Sequence, residues 1–409
     1  MIATALGVGL VAWSYAVTCT TVYGVVRAAW QRRAPSSYGA PRAFSVRRAQ
    51  SSIGPARVLV VRPCAGLEQE LARALGSLGG ALSQAEIRCR FAIGTASDPA
   101  GAVAESAADR LRERGIDATV VITRADAPNH KAAQLEAVIA AETEPFDVVV
   151  VADSDVDLDG FDLDALIEPL LGDERGGAIW VPPVEIGALT ASGDRASHAL
   201  LDGSLHAFTI LGALDGAALV GKLFAARADA IRAAGGFGSM ARVLGEDMEL
   251  ARRLLAEGRT VRVAPTVARS LKTGRTWASA VERYARWLTV IRAQRPHLLA
   301  SYPLLFLAAP LLVLLGLALL PFAERLALTA IAFALGSRLI AAFAARALAG
   351  APLDPIATIT GAAIADALLS CAFARAALTR TLTWRGRALT IDRGGELSGQ
   401  AAAGPAAPS

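Results

Sequence analysis

Residues 148–159 read VVVVADSDVDLD, and the triplet Asp153-Ser154-Asp155 follows four valines and Ala152. A D-x-D at the end of a strand suits Mg2+ or Mn2+, because carboxylates are hard ligands that leave the metal free to meet phosphate oxygens. The same triplet also suits a polar turn, since acidic turns after strands are common. Asp157 and Asp159 read as surface residues entering the next helix. A second constellation, GEDMELARRLLAEG at 245–258, opens a helix with Glu246 and Asp247. These acids either complement the helix dipole or supply a base. A hydroxyl is a poor nucleophile until a positioned carboxylate accepts its proton, and Glu246 beside Asp247 would raise that base's pKa. The third constellation is Arg283-Tyr284-Ala285-Arg286-Trp287. Its arginines suit either a bidentate hold on a pyrophosphate, with the tryptophan as a flat wall, or lipid headgroups and an interfacial aromatic. The histidines (His130, His198, His206, His297) show no metal spacing and read as polar or structural. His206 sits in HAFTILGALDGAALVGK.

From Arg57, short β-branched runs alternate with amphipathic stretches: RVLVVRP, LEQELARALGSLGG, IRCRFAIG, AGAVAESAADRLRERG, ATVVITR, HKAAQLEAVIAAET and DVVVVAD. Such alternation argues for βαβ units and a mostly parallel sheet. Ligands of such sheets bind beyond the carboxyl ends of the strands, where the acidic triplet sits.

The chain has 409 residues, 54% of them hydrophobic, and a mean hydropathy of +0.42, which is high for a wholly soluble protein. Residues 2–26 carry no charge and suffice for a membrane helix of about 20 residues. Arg27, Arg32 and Arg33 follow and place the next segment in the cytoplasm. The expected organisation is a transmembrane helix over 1–27, a linker over 28–54 and a cytosolic domain over 55–275. An amphipathic interfacial helix over 276–298, a membrane cluster over 299–378 and a basic, then disordered, tail over 379–409 follow. On 276–295, Trp277, Val281, Tyr284, Leu288 and Ile291 share one face, the pattern of a helix lying on a membrane.

Three full crossings at 300–322, 326–349 and 355–378 would strand Arg380, Arg385, Arg387 and Arg393 outside, against the positive-inside bias. One segment is therefore expected to be re-entrant or interfacial, and 355–378, which contains Asp366, is the candidate. The net charge of +4 derives largely from arginines flanking apolar segments, which points to anionic lipid and away from nucleic acid. Cys19, Cys64, Cys89 and Cys371 form no CxxC pair and indicate neither a zinc site nor a disulfide framework.

The triplet, Glu246-Asp247 and R-x-x-R-W, in this order and followed by membrane helices, resemble lipid-directed glycosyltransferases with a GT-A-type nucleotide-sugar domain. The detailed pattern is similar to the ceramide glucosyltransferase family, which includes bacterial relatives acting on hopanoids. Further matches are Asn129 and Lys131 in PNHKAAQL, the stretch LVGKLFAARADAIRAAGGF at 219–237, and W-R-G-R at 384–387. The resemblance spans about residues 55–393 and implies an α/β fold of GT-A type with transmembrane helices at both ends. It implies Asp155 as the ligand of Mg2+ or Mn2+, Asp153 as a contact to the nucleotide sugar and Asp247 as the base. Arg286 and Trp287 would line the diphosphate and acceptor site, and Lys131, Glu246 and Arg283 would complete substrate binding. One position departs from the family pattern. An aspartate that helps hold the donor's base and ribose is replaced by Thr95 in IGTASDP, leaving Asp98 to supply that contact.

The resemblance implies a UDP-sugar donor, with glucose as the default hexose, and a lipid acceptor at the cytoplasmic face of a membrane, the bacterial inner membrane in the simplest case. Ceramide is the default acceptor. Hopanoid, diacylglycerol or a growing polysaccharide are the enzymatic alternatives, and an inactive relative serving as a membrane-bound binding or scaffold protein is the non-enzymatic one.

Overall fold

The four valines owe their position to burial on both faces. The computed structural model describes residues 1–32, 55–215, 218–379, 381–384, 387–391 and 396–399. In it β4 (Val148–Ala152) lies inside a seven-stranded sheet. Side chains alternate across a strand, so Val149 and Val151 enter one core while Val148 and Val150 enter the other. β1 (Arg57–Cys64), β2 (Glu86–Ile93), β3 (Asp117–Ile122) and β4 pair in parallel in the spatial order β3-β2-β1-β4. Their crossover helices are α2 (Leu71–Gly76), α3 (Ala100–Glu113) and α4 (His130–Ala141), each at the stretch whose periodicity predicts it.

The second half of the domain breaks the parallel pattern. β8 (Leu223–Arg227) runs antiparallel between β4 and β6 (Gly176–Trp180), and β9 (Thr260–Val263) pairs parallel with β6 at the edge. A small sheet of β5 (Val156–Asp157), β10 (Ala268–Ser270) and β7 (Pro183–Glu185) caps the carboxyl end of β4. The remaining helices of the domain are α5 (Asp164–Leu171), α6 (Ser192–Asp202), α7 (Phe208–Leu214), α8 (Ala228–Ala233) and α9 (Glu246–Ala256). Asp157, expected at the surface, is instead buried in β5, because the chain after the triplet enters the small sheet rather than a helix. Asp159 is exposed, as expected.

α1 (Ile2–Gln31) precedes this domain and α10 (Trp277–Gln294) follows it. Then come α11 (Pro296–Ser301), a π-helical turn over Tyr302–Phe306, α12 (Ala308–Leu319), α13 (Glu324–Ala349) and α14 (Pro355–Leu378). α1, α13 and α14 are each long and apolar enough to cross a membrane, and the segments 296–306 and 308–319 form a pair bent by 54°. α1 and α13 lie parallel, so that their amino ends meet. Gly7 meets Leu326 so closely that an added Cβ would stand 2.8 Å from its side chain. At the other end Val25 joins Ala341 and Ala345 beside α7.

α14 lies differently. Its Ala365, Leu368, Leu369, Ala372 and Ala376 share a core with Tyr284 and Leu288 of α10 and with α6 of the α/β domain. The stripe on α10 that the sequence assigns to lipid therefore packs on protein. The outward apolar face belongs to α14, where Ile356, Ile359, Ile364 and Leu378 are exposed. Arg338 of α13 pairs with Asp366 of α14 at 2.9 Å and donates to the carbonyl of Gly203 after α6, tying both helices to the domain. Short strands β11 (Thr381–Trp384), β12 (Arg387–Ile391) and β13 (Leu397–Gly399) form a three-stranded sheet. Most of the expected linker, Arg380, Arg385, Arg393 and the final AAAGPAAPS lie outside the described residues.

Arg62 of β1 is fully buried beneath the acidic triplet. Its guanidinium donates to the carbonyls of Ala74, Asp153 (2.9 Å) and Val156 (2.7 Å), so one side chain holds both ends of the turn. Unsatisfied buried polar groups cost about 1–3 kcal/mol each. Arg62→Met is expected to destabilise the protein by roughly 3 kcal/mol or more, read as a lowered midpoint of thermal unfolding in detergent. An unchanged midpoint would show that the turn does not depend on this side chain.

Candidate active site

The carboxyl end of β4 and the amino end of β8 bring the acidic triplet against two lysines. Asp153 N donates to Lys222 O at 2.9 Å, continuing the antiparallel ladder one residue past Ala152 and Leu223. This register sets Lys222 opposite the triplet. Its Nζ lies 2.6 Å from each oxygen of Asp155 and 3.5 Å from Asp153. Ser270 Oγ donates to Asp155 at 3.0 Å. Burial alone would push the Asp155 carboxyl up, but Lys222, with Arg283 and Lys272 nearby, outweighs it and holds the group well below the usual carboxylate range.

Lys131 enters from the first turn of α4. Its Nζ donates to Asp153 Oδ1 at 2.8 Å and to Gly221 O at 2.7 Å, and lies 3.4 Å from Glu246. Burial opposes this charge, yet Asp153, Glu246 and Asp247 together raise the Lys131 pKa above its ordinary value. The buried Asn129 caps α4 through Ala132 N and donates to Glu246 at 2.8 Å. Asn129, Lys131 and Glu246 thus fasten α4 to α9, and the two charged members are paired within the protein.

Asp247, on the first turn of α9, receives its hydrogen bonds from backbone: Gly221 N at 2.7 Å and Met248 N at 2.9 Å. Glycine at 221 leaves room for both side chains, since a Cβ there would stand 3.0 Å from Asp247 Oδ2 and from Lys131 Nζ and would make them shift. Gly245 precedes the helix at φ +79°, with a Cβ position 2.6 Å from Val290 of α10, so α9 is seated directly on α10. Burial, and after it the charge of Glu246, push the Asp247 carboxyl up to about 6, against the opposing effect of Lys131. A carboxylate tuned to that range is suited to accept a proton near neutral pH.

The R-x-x-R-W segment lines the opposite wall. Arg283 pairs with the buried Glu185 at 2.6 Å, an acid that Arg275 shares at 2.7 Å. Its guanidinium also lies 4.8 Å from the Trp287 ring. Trp287 stands in an aromatic cluster with Tyr284, Phe208 and His206, at centroid separations of 5.0, 5.4 and 6.5 Å. Arg286, between them, is partly buried. His206 is buried and bonded to the Tyr302 hydroxyl at 2.9 Å, while its Nδ1 has no partner. Burial pushes its pKa down to about 4, so the ring is neutral at pH 7.

The chain matches the family model described as glycosyl transferase family 21 over residues 11–397. It belongs to that family. Family 21 is the ceramide glucosyltransferase family, and its members are glycosyltransferases. No curated protein matches the chain. Glucosyl-3-phosphoglycerate synthase from Mycobacterium tuberculosis, crystallised with Mg2+ and UDP, is similar at 16% identity, covering 62% of this chain and 86% of that one, with a TM-score of 0.34. S. aureus TarS 1-349 is similar at 11% identity over 83% of this chain and 98% of that one, with a TM-score of 0.36. The likeness to both is one of fold.

Within this family 21 chain Lys131, Asp153, Asp155, Glu246 and Asp247 gather with Gly221 and Lys222 at the end of β4, with two qualifications. Asp98 Oδ1 accepts from Gly66 N and Ala100 N at 2.9 Å, so it braces the loops after β1 and β2, beside the exposed Thr95. Asp155 carries the Lys222 ammonium where the sequence reading places Mg2+ or Mn2+. Among the described residues no group of three or more His, Cys, Asp or Glu side chains could hold a metal. With Lys222 seated on both Asp155 oxygens, these residues do not fit a resident divalent ion.

Lys222, Glu185 and Arg62 escaped the sequence reading. The first lay in plain view in LVGKLF, but only the β4–β8 register gives it meaning. If Asp247 is the base, kcat/KM will rise as pH rises through about 6, where the carboxyl loses its proton, and will level off above it. The same raised pKa means that folding stability grows as pH falls through about 6 toward the ordinary carboxylate range. Asp247→Asn should lower turnover by on the order of a hundredfold or more, while UDP binding changes little. A pH-independent rate between 5 and 8 contradicts the assignment.

Proposed function

We propose that the protein is a membrane-bound, inverting glycosyltransferase that moves a hexose, glucose by default, from a UDP-sugar to the hydroxyl of a ceramide-like lipid. The observation that carries this reading is the placement of Asp247. Its carboxylate lies between the cationic pocket at the end of β4 and a helix, α10, that packs against the membrane-proximal α14. One end of the cleft therefore suits a diphosphate and the other a lipid.

In this mechanism the diphosphate lies along Lys222, Arg283 and Arg286, and Asp153 orients the sugar. The nucleoside end is assigned to the loop after β2, where Thr95 and Asp98 lie. The acceptor hydroxyl is placed beside Asp247, with Trp287 as the wall behind it. Asp247 takes the hydroxyl proton as the oxygen attacks the anomeric carbon from the face opposite the departing diphosphate. Charge that develops on the leaving group is met by preorganised cations, which act strongly in a cleft of low dielectric. Glu185 keeps Arg283 in place and holds its charge, outweighing the opposing effect of burial.

We place three crossings in the membrane: α1, the bent 296–319 segment and α13. α13 runs parallel to α1 and, like it, ends at the α/β domain, and α14 then lies on the membrane surface along α6 and α10. The tail ends on the same side as the catalytic domain, in keeping with the positive-inside bias. A reporter fused after residue 409 is thus expected to be cytoplasmic, inaccessible to protease added outside intact cells, and a protease-sensitive reporter would remove this arrangement.

The activity itself is tested by incubating membranes with labelled UDP-sugars and identifying the labelled lipid by mass spectrometry. A single hexose on a lipid alcohol is the expected product. Long polymer would indicate a polysaccharide synthase, and UDP binding without turnover on any lipid extract would indicate an inactive relative.

A further inference from the structure

Lys222 is tied into the site more firmly than a surface lysine. The β4–β8 ladder fixes its backbone through the Asp153 N–Lys222 O bond, and its side chain is only 15% exposed. A carboxylate engaged through both oxygens, with a second carboxylate close by, is how an acidic triplet presents a divalent ion to a diphosphate. Here an ammonium holds that place, 2.6 Å from both Asp155 oxygens and 3.5 Å from Asp153 Oδ2. We propose that Lys222 is the resident cation of the diphosphate site, so that this protein binds a nucleoside diphosphate without a divalent metal.

Three features support this role. An ammonium has three N–H donors. Asp155 accepts two of them, and the third is left for a phosphate oxygen, since Asp153 lies at the limit of hydrogen-bond distance. Asp155 also accepts from Ser270 Oγ at 3.0 Å, so a metal could bind it only by displacing donors already in place. Arg283 and Lys272, which pair with Glu185 and Glu68, also act on Asp155, so Lys222 stands among further cations. Asp155 is then a positioning residue that aims Lys222, rather than a metal ligand. Lys131, by contrast, is committed to Asp153 and the Gly221 carbonyl.

The inference rests on the reading that the donor carries a diphosphate, and UDP is the probe that separates the two. Full-length protein in detergent is titrated calorimetrically with UDP, once in EDTA and once in Mn2+. Wild type is expected to bind UDP in both buffers with affinities within roughly threefold. Lys222→Met should lose about tenfold or more in EDTA and recover most of it in Mn2+, because the vacated Asp155 can then take the ion. Lys222→Arg, which keeps the charge, should retain more metal-free binding than the Met variant and guards against a folding defect in it. The proposal is overturned if wild type binds UDP only in Mn2+, or if Lys222→Met binds in EDTA as tightly as wild type. If wild type binds no UDP in either buffer, the nucleotide-sugar reading falls and this inference falls with it.

Discussion

The antiparallel pairing of β8 with β4 is the constraint on which the cleft depends. It places Gly221 and Lys222 across from Asp153, and from that register three contacts follow. Lys222 reaches Asp155, the Gly221 carbonyl receives Lys131, and the Gly221 N–H meets Asp247. A slip of one residue would turn the lysine to the other face of the sheet and remove all three. Arg62 fixes the other side of the same turn from below, so the triplet is held from two directions.

Charge balance accounts for the rest of the arrangement. Asp153, Asp155, Glu185 and Glu246 crowd into a partly buried space, and each has a cationic partner: Lys131, Lys222, Arg283 or Arg275. Buried charge without a partner is strongly destabilising. Asp247 is the exception: burial, and after it the charge of Glu246, push its carboxyl up to about 6, and the Lys131 charge and the two backbone N–H donors only partly offset them. Two carboxylates near one another thus differ in role through their surroundings. Asp155 stays ionised and holds a cation, whereas Asp247 can exchange a proton.

Much of this fold is legible in the sequence because its first half is local. Each of β1 to β3 is a short apolar run followed by a helical period, and hydrophobic spacing identifies both without knowledge of the partner. Asp153, Asp155 and Asp247 are likewise legible, since a strand end and a helix start are local features. Lys222 and Glu185 are not, because each acquires its role from strands that meet far apart in the chain. The same limit explains Asp157, whose burial depends on β10. It also explains α10, whose apolar stripe looks lipid-facing until α14 is packed over it. Periodicity gives the face of a helix that is covered, but not what covers it.

α14 lies on α10, and α10 carries Arg283, Arg286 and Trp287 and seats α9 through Gly245. In the proposed function this packing joins the lipid-side helix to Asp247. The central claim is that Asp247 activates the acceptor hydroxyl for one direct displacement at the sugar, and the stereochemistry of the product tests it most directly. NMR of the anomeric proton in glycolipid formed from α-configured UDP-glucose is predicted to show a β linkage. An α-linked product would require a different reaction path and would contradict the role given to Asp247.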